Sequence, residues 1–502
     1  MKSKILITIL FSLSAIVLQA QNSLLTKKQI IADIEFLTNT LNDNSSYVYL
    51  NGYDFNIDFE NYLKTIEDST SLEEFGLFLT QTIAKIGDRH SSAATIRGFN
   101  SDESLFLPFI YAPENDKVVV LDYDQNKELK LLHTNYPYLK SIDGMDIHEF
   151  LQKTRPEDIK APKATYFTMA VRDIRDIQKN YKLLNKPLPE EIELTLSDPT
   201  FQNDTVLVVP IIDKSKRLRP WDEEFETQYV RIKDEDYNNP DIIEQLFSVS
   251  DNIAYIKIPE MTSKDEAPLL FDKLNSFMKS VQNESKALII DVRSNSGGTR
   301  DLTYEFAKYL IHPDSIYVVN ATKQRGPLPL PQEYKEHLYT RYLYPFAELD
   351  SREQKSVSNF MKTFKPIYEL DDEKYSEYYF GIFNGQKLSE PSFYYNKPVY
   401  ILANEKTFSA ASVFVSAFKG IPNIQIVGVT TDGSSGNSEW FDLPESELFG
   451  KISTMVSFQK DGTILDGFGT EPDIKIERDI NQILWKSDTQ LEKLKSLITT
   501  KN

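Results

Sequence analysis

The sequence predicts a multi-domain α/β chain: an N-terminal helical domain, a small β-rich module and an α/β core built of βα units around a parallel sheet. Three observations predict it. At 502 residues and 57.9 kDa the chain exceeds what one hydrophobic core holds. Its apolar residues recur at helical spacing near the N-terminus, and in short alternating runs through the middle. From residue 252 onward, buried-type strands alternate with amphipathic helices, the pattern of a parallel sheet covered by helices.

In chain order, Lys2 and Lys4 precede an apolar run from Ile5 to Val17, followed by Leu18, Gln19, Ala20 and the polar Gln21-Asn22-Ser23. A charged head, a short apolar core and a small exit residue are the features of a secretory signal peptide. Residues 1–20 are therefore expected to be removed, leaving a secreted or periplasmic chain with no membrane attachment. Residues 21–98 read as helical, from Ile30, Ile31, Ile34, Phe36 and Leu37 and again from Leu72, Phe75, Leu77, Phe78, Ile83 and Ile86. Residues 99–213 read as the β-rich module, with a helical insertion near 164–184 and a hairpin turning at Asp198-Pro199. A charged stretch, 214–248, reads as a linker. The core is expected over 249–480, interrupted at 321–397 by a Pro- and Tyr-rich insertion, and a C-terminal helix over 481–502.

Composition narrows the chemistry. With 56 basic against 75 acidic residues the formal charge is −19, which disfavours nucleic acid and anionic lipid as partners. Cysteine is absent and histidine numbers five, so thiolate sites are excluded, and no metal or other cofactor is expected. Catalysis would fall to hydroxyls, carboxylates, lysines and a few imidazoles. The signatures G-x-S-x-G, P-loop and H-E-x-x-H are missing. The S-x-x-K at Ser276 to Lys279 lies across the apolar stripe of a helix and reads as surface.

Two segments stand out. Ala287 to Val292 runs into a polar turn, Arg293-Ser294-Asn295-Ser296, ending at Gly297 and Gly298. Paired glycines let backbone amides face a ligand, although an ordinary βα turn also fits. Val399 to Ala403 runs through Asn404 to Phe408 into Ser409, which opens a helix of small residues. A hydroxyl there sits at the positive helix end beside free amides, suiting either a helix cap or a nucleophile whose product is an oxyanion.

Together these segments resemble one family, the C-terminal processing (tail-specific) serine peptidases, of the branch that includes the tricorn core protease and the interphotoreceptor retinoid-binding protein modules. That family carries an I-I-D-x-R-x-N-x-G-G strand and turn, then T-x-S-A around its nucleophile; this chain has Ile289 to Gly298 and Thr407 to Ala410. Gly467 to Ile474 resembles the closing G-x-G-x-x-P-D-I, and Asp88-Arg89-His90 the D-x-H element. The middle module occupies the place of the family's PDZ-like domain. The resemblance implies a serine endopeptidase acting on unfolded or C-terminal segments of peptides and proteins. Ser409 would be the nucleophile, His90 the general base, and the amides of Ala410 and of Gly297 or Gly298 the oxyanion hole. One branch of the family uses a lysine after the nucleophile, but here the corresponding loop reads Gly428 to Gly433, Ser434, Ser435, without one. The family's final glutamate aligns with Asp466, one methylene shorter, and the serine that precedes its histidine is replaced by Arg89. Either Ser91 or another hydroxyl then substitutes, or the relay is incomplete. These departures sustain two other readings, a catalytically inactive peptide- or ligand-binding protein on the same scaffold and a different serine hydrolase.

Overall fold

A computed structural model describes residues 24–95, 104–155, 160–223, 237, 239–388 and 393–500. The expected signal peptide, residues 1–20, lies outside them. Among the described residues no helix is long and apolar enough to cross a membrane.

The central sheet has six strands in the order Phe247–Ser250, Ile253–Lys257, Ala287–Asp291, Val399–Ala403, Ile424–Gly428 and Ile474–Lys475. All neighbours run parallel except the first pair, whose antiparallel edge strand begins at Phe247, in the last two residues of the stretch expected to be linker. The inner strands are buried on both faces, which explains their unbroken apolar runs. Alternation then sorts the side chains. Ala254, Ile256, Leu288, Ile290 and Ile401 meet the helices Pro268–Glu284, Asp301–Leu310 and Ala410–Phe418. Ile253, Tyr255, Ile289 and Leu402 meet Leu491, Leu494 and Ile498 of the C-terminal helix, Thr489–Thr500.

The N-terminal segment forms helices Lys27–Asn44, Phe55–Thr65 and Leu72–Ala84. Thr26 and Gln29 close a capping box on the first, and Ser71 caps the third. These helices do not enclose a core of their own. Leu37, Phe59 and Phe75 share one with Val318, Phe380 and Phe458 of a second, antiparallel sheet ordered Leu343–Pro345, Tyr379–Asn384, Ile316–Gln324, Met455–Phe458. Two of those strands come from within 321–397, so that stretch supplies the surface on which the N-terminal helices rest. A three-stranded sheet, Ser438–Asp442, Phe449–Ser453 and Ser92–Thr95, ties the end of the helical segment to the C-terminal part of the chain.

The middle of the chain is a seven-stranded antiparallel sheet covered by helices Ile147–Thr154, Lys163–Asp173 and Ile177–Leu183. Of the charged stretch that follows, Trp221 is buried, its indole nitrogen donating to the Ile483 carbonyl at 3.0 Å.

Candidate active site

Adjacent parallel strands, paired Asp291 to Leu402, end side by side and deliver both singled-out turns to one place. The first turn is wired by buried charge. Arg293 engages both oxygens of Asp291, with 2.7 Å the shorter Nη2 contact, and reaches Asp488 at 2.5 Å. Lys257 and Tyr255 reach the same Asp291 carboxylate at 3.3 and 2.9 Å. The two guanidinium and ammonium charges hold Asp291 well below the ordinary carboxylate range, overcoming its burial. Asn295 donates to the Ile258 carbonyl at 2.9 Å and accepts the Gly297 amide at 2.8 Å.

This stiff turn holds the second. Phe408 donates its amide to the Asn295 carbonyl, Thr407 its hydroxyl to the Val292 carbonyl, and Ser294 its amide to the Asn404 side chain, at 2.9, 2.9 and 2.8 Å. Ser409 follows with φ +53° and ψ −126°, a strained conformation for a residue with a side chain, before helix Ala410–Phe418 begins. A Cβ added at Gly297 would lie 2.5 Å from the Ser409 Cβ, so the glycine is what permits the turns to touch.

His90 arrives from the end of the N-terminal helices. Its Nε2 lies 3.1 Å from the Ser409 Oγ, across 319 residues of chain. The imidazole stacks on Phe408 at 4.7 Å between centroids and is 5% exposed. Burial first, then the charges of Lys451 and Arg89, pull its pKa down to about 3. The free imidazole is therefore neutral and able to accept a proton throughout the working range. Arg89 does not point at the base. It forms a two-pronged ion pair with buried Asp432, 3.1 and 2.9 Å, whose Oδ1 also accepts the Ser434 hydroxyl at 2.7 Å. A serine in the place of Arg89 could not make that pair, so the departure from the family pattern serves the loop. Among the described residues no lysine hydrogen-bonds the Ser409 hydroxyl: Lys460, lowered by burial to about 8, donates to the Lys419 carbonyl beyond the far end of the helix.

Two expectations are corrected. Gly297 was expected as an alternative oxyanion donor, but its amide is held by Asn295. The Ala410 amide heads a helix, where no intrahelical acceptor exists. Gly298 bridges Met261 through the carbonyl of Gly297 and the amide of Thr299, so its own N–H faces the opposite side. The direct form of the Asp466 expectation also fails. Its Oδ2 accepts from Tyr47 and Ser435 at 2.9 and 3.0 Å, and not from His90. The His90 Nδ1 is buried without a partner among the described residues, as are Asp466 Oδ1 and Asp88 Oδ2. Burial, with the nearby Asp88 charge, pushes Asp466 up to about 7. Ser91, the other hydroxyl considered, accepts the Ser453 amide at 3.0 Å. Sequence reasoning missed Tyr47, which sits in an irregular stretch between helices with no motif around it, and gave Ser435 no role.

Residues 252–476 match Peptidase family S41. Among solved structures, mature CPAF complexed with lactacystin has a TM-score of 0.63 at 18% identity, covering 94% of this chain and 98% of that one. Mature CPAF alone scores 0.62 at 16% identity, over 94% and 96%. At these identities the likeness is one of fold, and it extends over nearly all of both chains.

Proposed function

We propose that this serine-type peptidase, which matches Peptidase family S41 over residues 252–476, is an exported endopeptidase using Ser409 and His90 on unfolded or C-terminal segments of polypeptides. The observation that carries this reading is the 3.1 Å approach of His90 Nε2 to a hydroxyl held at a strained strand-to-helix turn. Ser409 Oγ attacks the scissile carbonyl carbon as His90 Nε2 takes its proton. The resulting oxyanion is stabilised by the Ala410 and Gly298 amides. Collapse breaks the C–N bond, with the imidazolium returning the proton to the departing amine. Water then hydrolyses the acyl-enzyme by the same route. A base as weak as the free His90 gains basicity as the oxyanion forms beside it, since the new negative charge favours the imidazolium. Asp466 would add to this through the Ser435 hydroxyl, as a positioning residue. A half-buried hydroxyl beside a buried imidazole favours an extended chain over a folded surface as substrate. The charged and apolar features of residues 1–20 support export. An inactive binding protein would have no use for this hydroxyl–imidazole contact.

A fluorophosphonate probe tests the reading. The full chain should be labelled covalently, with the adduct mapped to Ser409 and labelling strongly slowed in His90→Ala. Labelling elsewhere, or none from a folded protein, would overturn it.

A further inference from the structure

Strand Phe449–Ser453 lies between Ser438–Asp442 and Ser92–Thr95, and its register sets Trp440, Lys451 and exposed Ser92 in one row across the sheet. Ser92 is two residues from His90. Ser453, two residues from Lys451 and on the same face, donates to Asp88 at 2.6 Å. A Cβ added at the adjoining Gly436 would stand 2.3 Å from Ser453 Oγ and 3.7 Å from the His90 Cβ, so this face runs up to the imidazole. The opposite face is filled by Phe441 and Ile452, which belong to the core.

The row is unusual in two ways. Trp440 is 66% exposed, a large apolar surface turned to solvent. Lys451 is half-buried, with its ammonium 5.7 Å from the Trp440 ring centroid. Among the described residues no carboxylate comes within ion-pair distance of it. Burial lowers its pKa against the opposing pull of Asp88, and its charge is the first that depresses His90. A lysine stem is long enough to carry its charge to water; here it stays, unpaired, beside the base. The full chain, at −19 with 75 acidic residues, has carboxylates in abundance.

We infer that Lys451 and Trp440 form a subsite that takes an acidic residue of the substrate, its carboxylate on the Lys451 ammonium and its aliphatic stem against the Trp440 indole. This rests on the proposed Ser409–His90 chemistry and specifies which peptides it prefers. A bound carboxylate also offsets a charge that lowers the basicity of His90, so the preference enters the rate of the chemical step as well as binding.

The test uses peptide pairs differing only by Glu or Gln at each position flanking the cleaved bond. Cleavage is followed with the full chain, and binding by fluorescence anisotropy with Ser409→Ala. One position should favour Glu by about tenfold, the range of one charge-assisted hydrogen bond. The preference should shrink as salt rises. Lys451→Met should abolish it and Lys451→Arg retain it, each with an unchanged melting temperature. An equal response to Glu and Gln at every position, or a preference surviving in Lys451→Met, would overturn the subsite. If the wild-type chain cleaves nothing, the catalytic reading fails, while the anisotropy ratio still decides the subsite on its own.

Discussion

Two strand-to-helix turns of the same sequence type lie side by side at the ends of adjacent strands; one is locked by ion pairs among its own residues, and the other carries Ser409 while its charges pair with distant segments. In Asp291 to Gly298, every ionised side chain is buried against counter-charges: Asp291 on Arg293 and Lys257, Arg293 in turn on Asp488. In Asn404 to Ala410, the hydroxyl of Ser409 has His90 as its side-chain partner, and its backbone is strained. The difference teaches a division of labour. The motif that looks most chemical, with an aspartate, an arginine and an asparagine in five residues, is scaffold; the second turn directs its charged Glu405 and Lys406 away to Arg478 and Asp222 and holds the uncharged Ser409 at the site. Charge buried in the first turn is what keeps the second in an unfavourable conformation.

The comparison breaks most visibly at Asp291. Asp291→Ala strands Lys257 and part of Arg293, and should cost about 3–5 kcal/mol in denaturant unfolding. Its depressed folded pKa adds stability that is present at neutral pH and lost as pH falls through the acid range. A loss below about 1 kcal/mol, the scale of a surface pair, would mean the network is not what stiffens the turn.

Gly297→Ala probes the contact between the turns. Its Cβ would collide with Ser409 at 2.5 Å, from a backbone at φ +98°. A displacement of about 1 Å at a reacting atom costs on the order of 100-fold in rate, measured as kcat/KM. Gly420→Ala is the matched control: φ is +74° but nothing lies within 4 Å, so stability should fall slightly and turnover stay the same.

Asp466 sharpens the comparison on the catalytic side. With His90 neutral above about 3, a limb near neutrality belongs to Asp466, near 7, and activity should rise through it as the carboxylate ionises. Asp466→Asn should remove that limb and lower kcat, by less than the ~10⁴ seen when a directly bonded carboxylate is lost. Because the folded pKa lies above the unfolded ~3.9, wild-type stability from this group falls as pH rises from about 4 to 7. The asparagine variant should therefore unfold later than wild type at pH 7. An unchanged pH profile would make Asp466 a packing residue.

The smallest expected effect is at Thr168, which donates to buried Glu405 at 2.9 Å and docks the middle module's helix on the nucleophile turn. Thr168→Val should cost about 1 kcal/mol and leave the peptidase rate intact. A large rate loss would show the docking to be part of the site.

Much of this was legible in the sequence. The strands at 287–291 and 399–403 are unbroken apolar runs because both sheet faces are covered, and the helix after Ser409 is apolar and small-residue-rich because it is buried throughout. Ser409 and His90 were singled out through the resemblance of their T-x-S-A and D-x-H motifs, since the local signal alone fits a helix cap as well as a nucleophile. The partners of Asp466 were not. Tyr47 and Ser435 are 419 and 31 residues from it, and neither stands in a pattern that a two- or four-residue period can detect. The occupied amide of Gly297 was equally hidden, since a sequence shows which amides are unobstructed but not which have acceptors. Lys451 stands in no motif; only the register that sets it beside Ser92 brings it to the His90 side of the sheet.

The central claim is that Ser409 and His90 act as one unit, and the most direct measurement is a double-mutant cycle on cleavage of an unfolded protein. Ser409→Ala and His90→Ala should each lose on the order of 10⁴-fold or more in kcat/KM, and the double variant little beyond either. A folded His90→Ala that cleaves at the wild-type rate, or losses that multiply in the double variant, would contradict it.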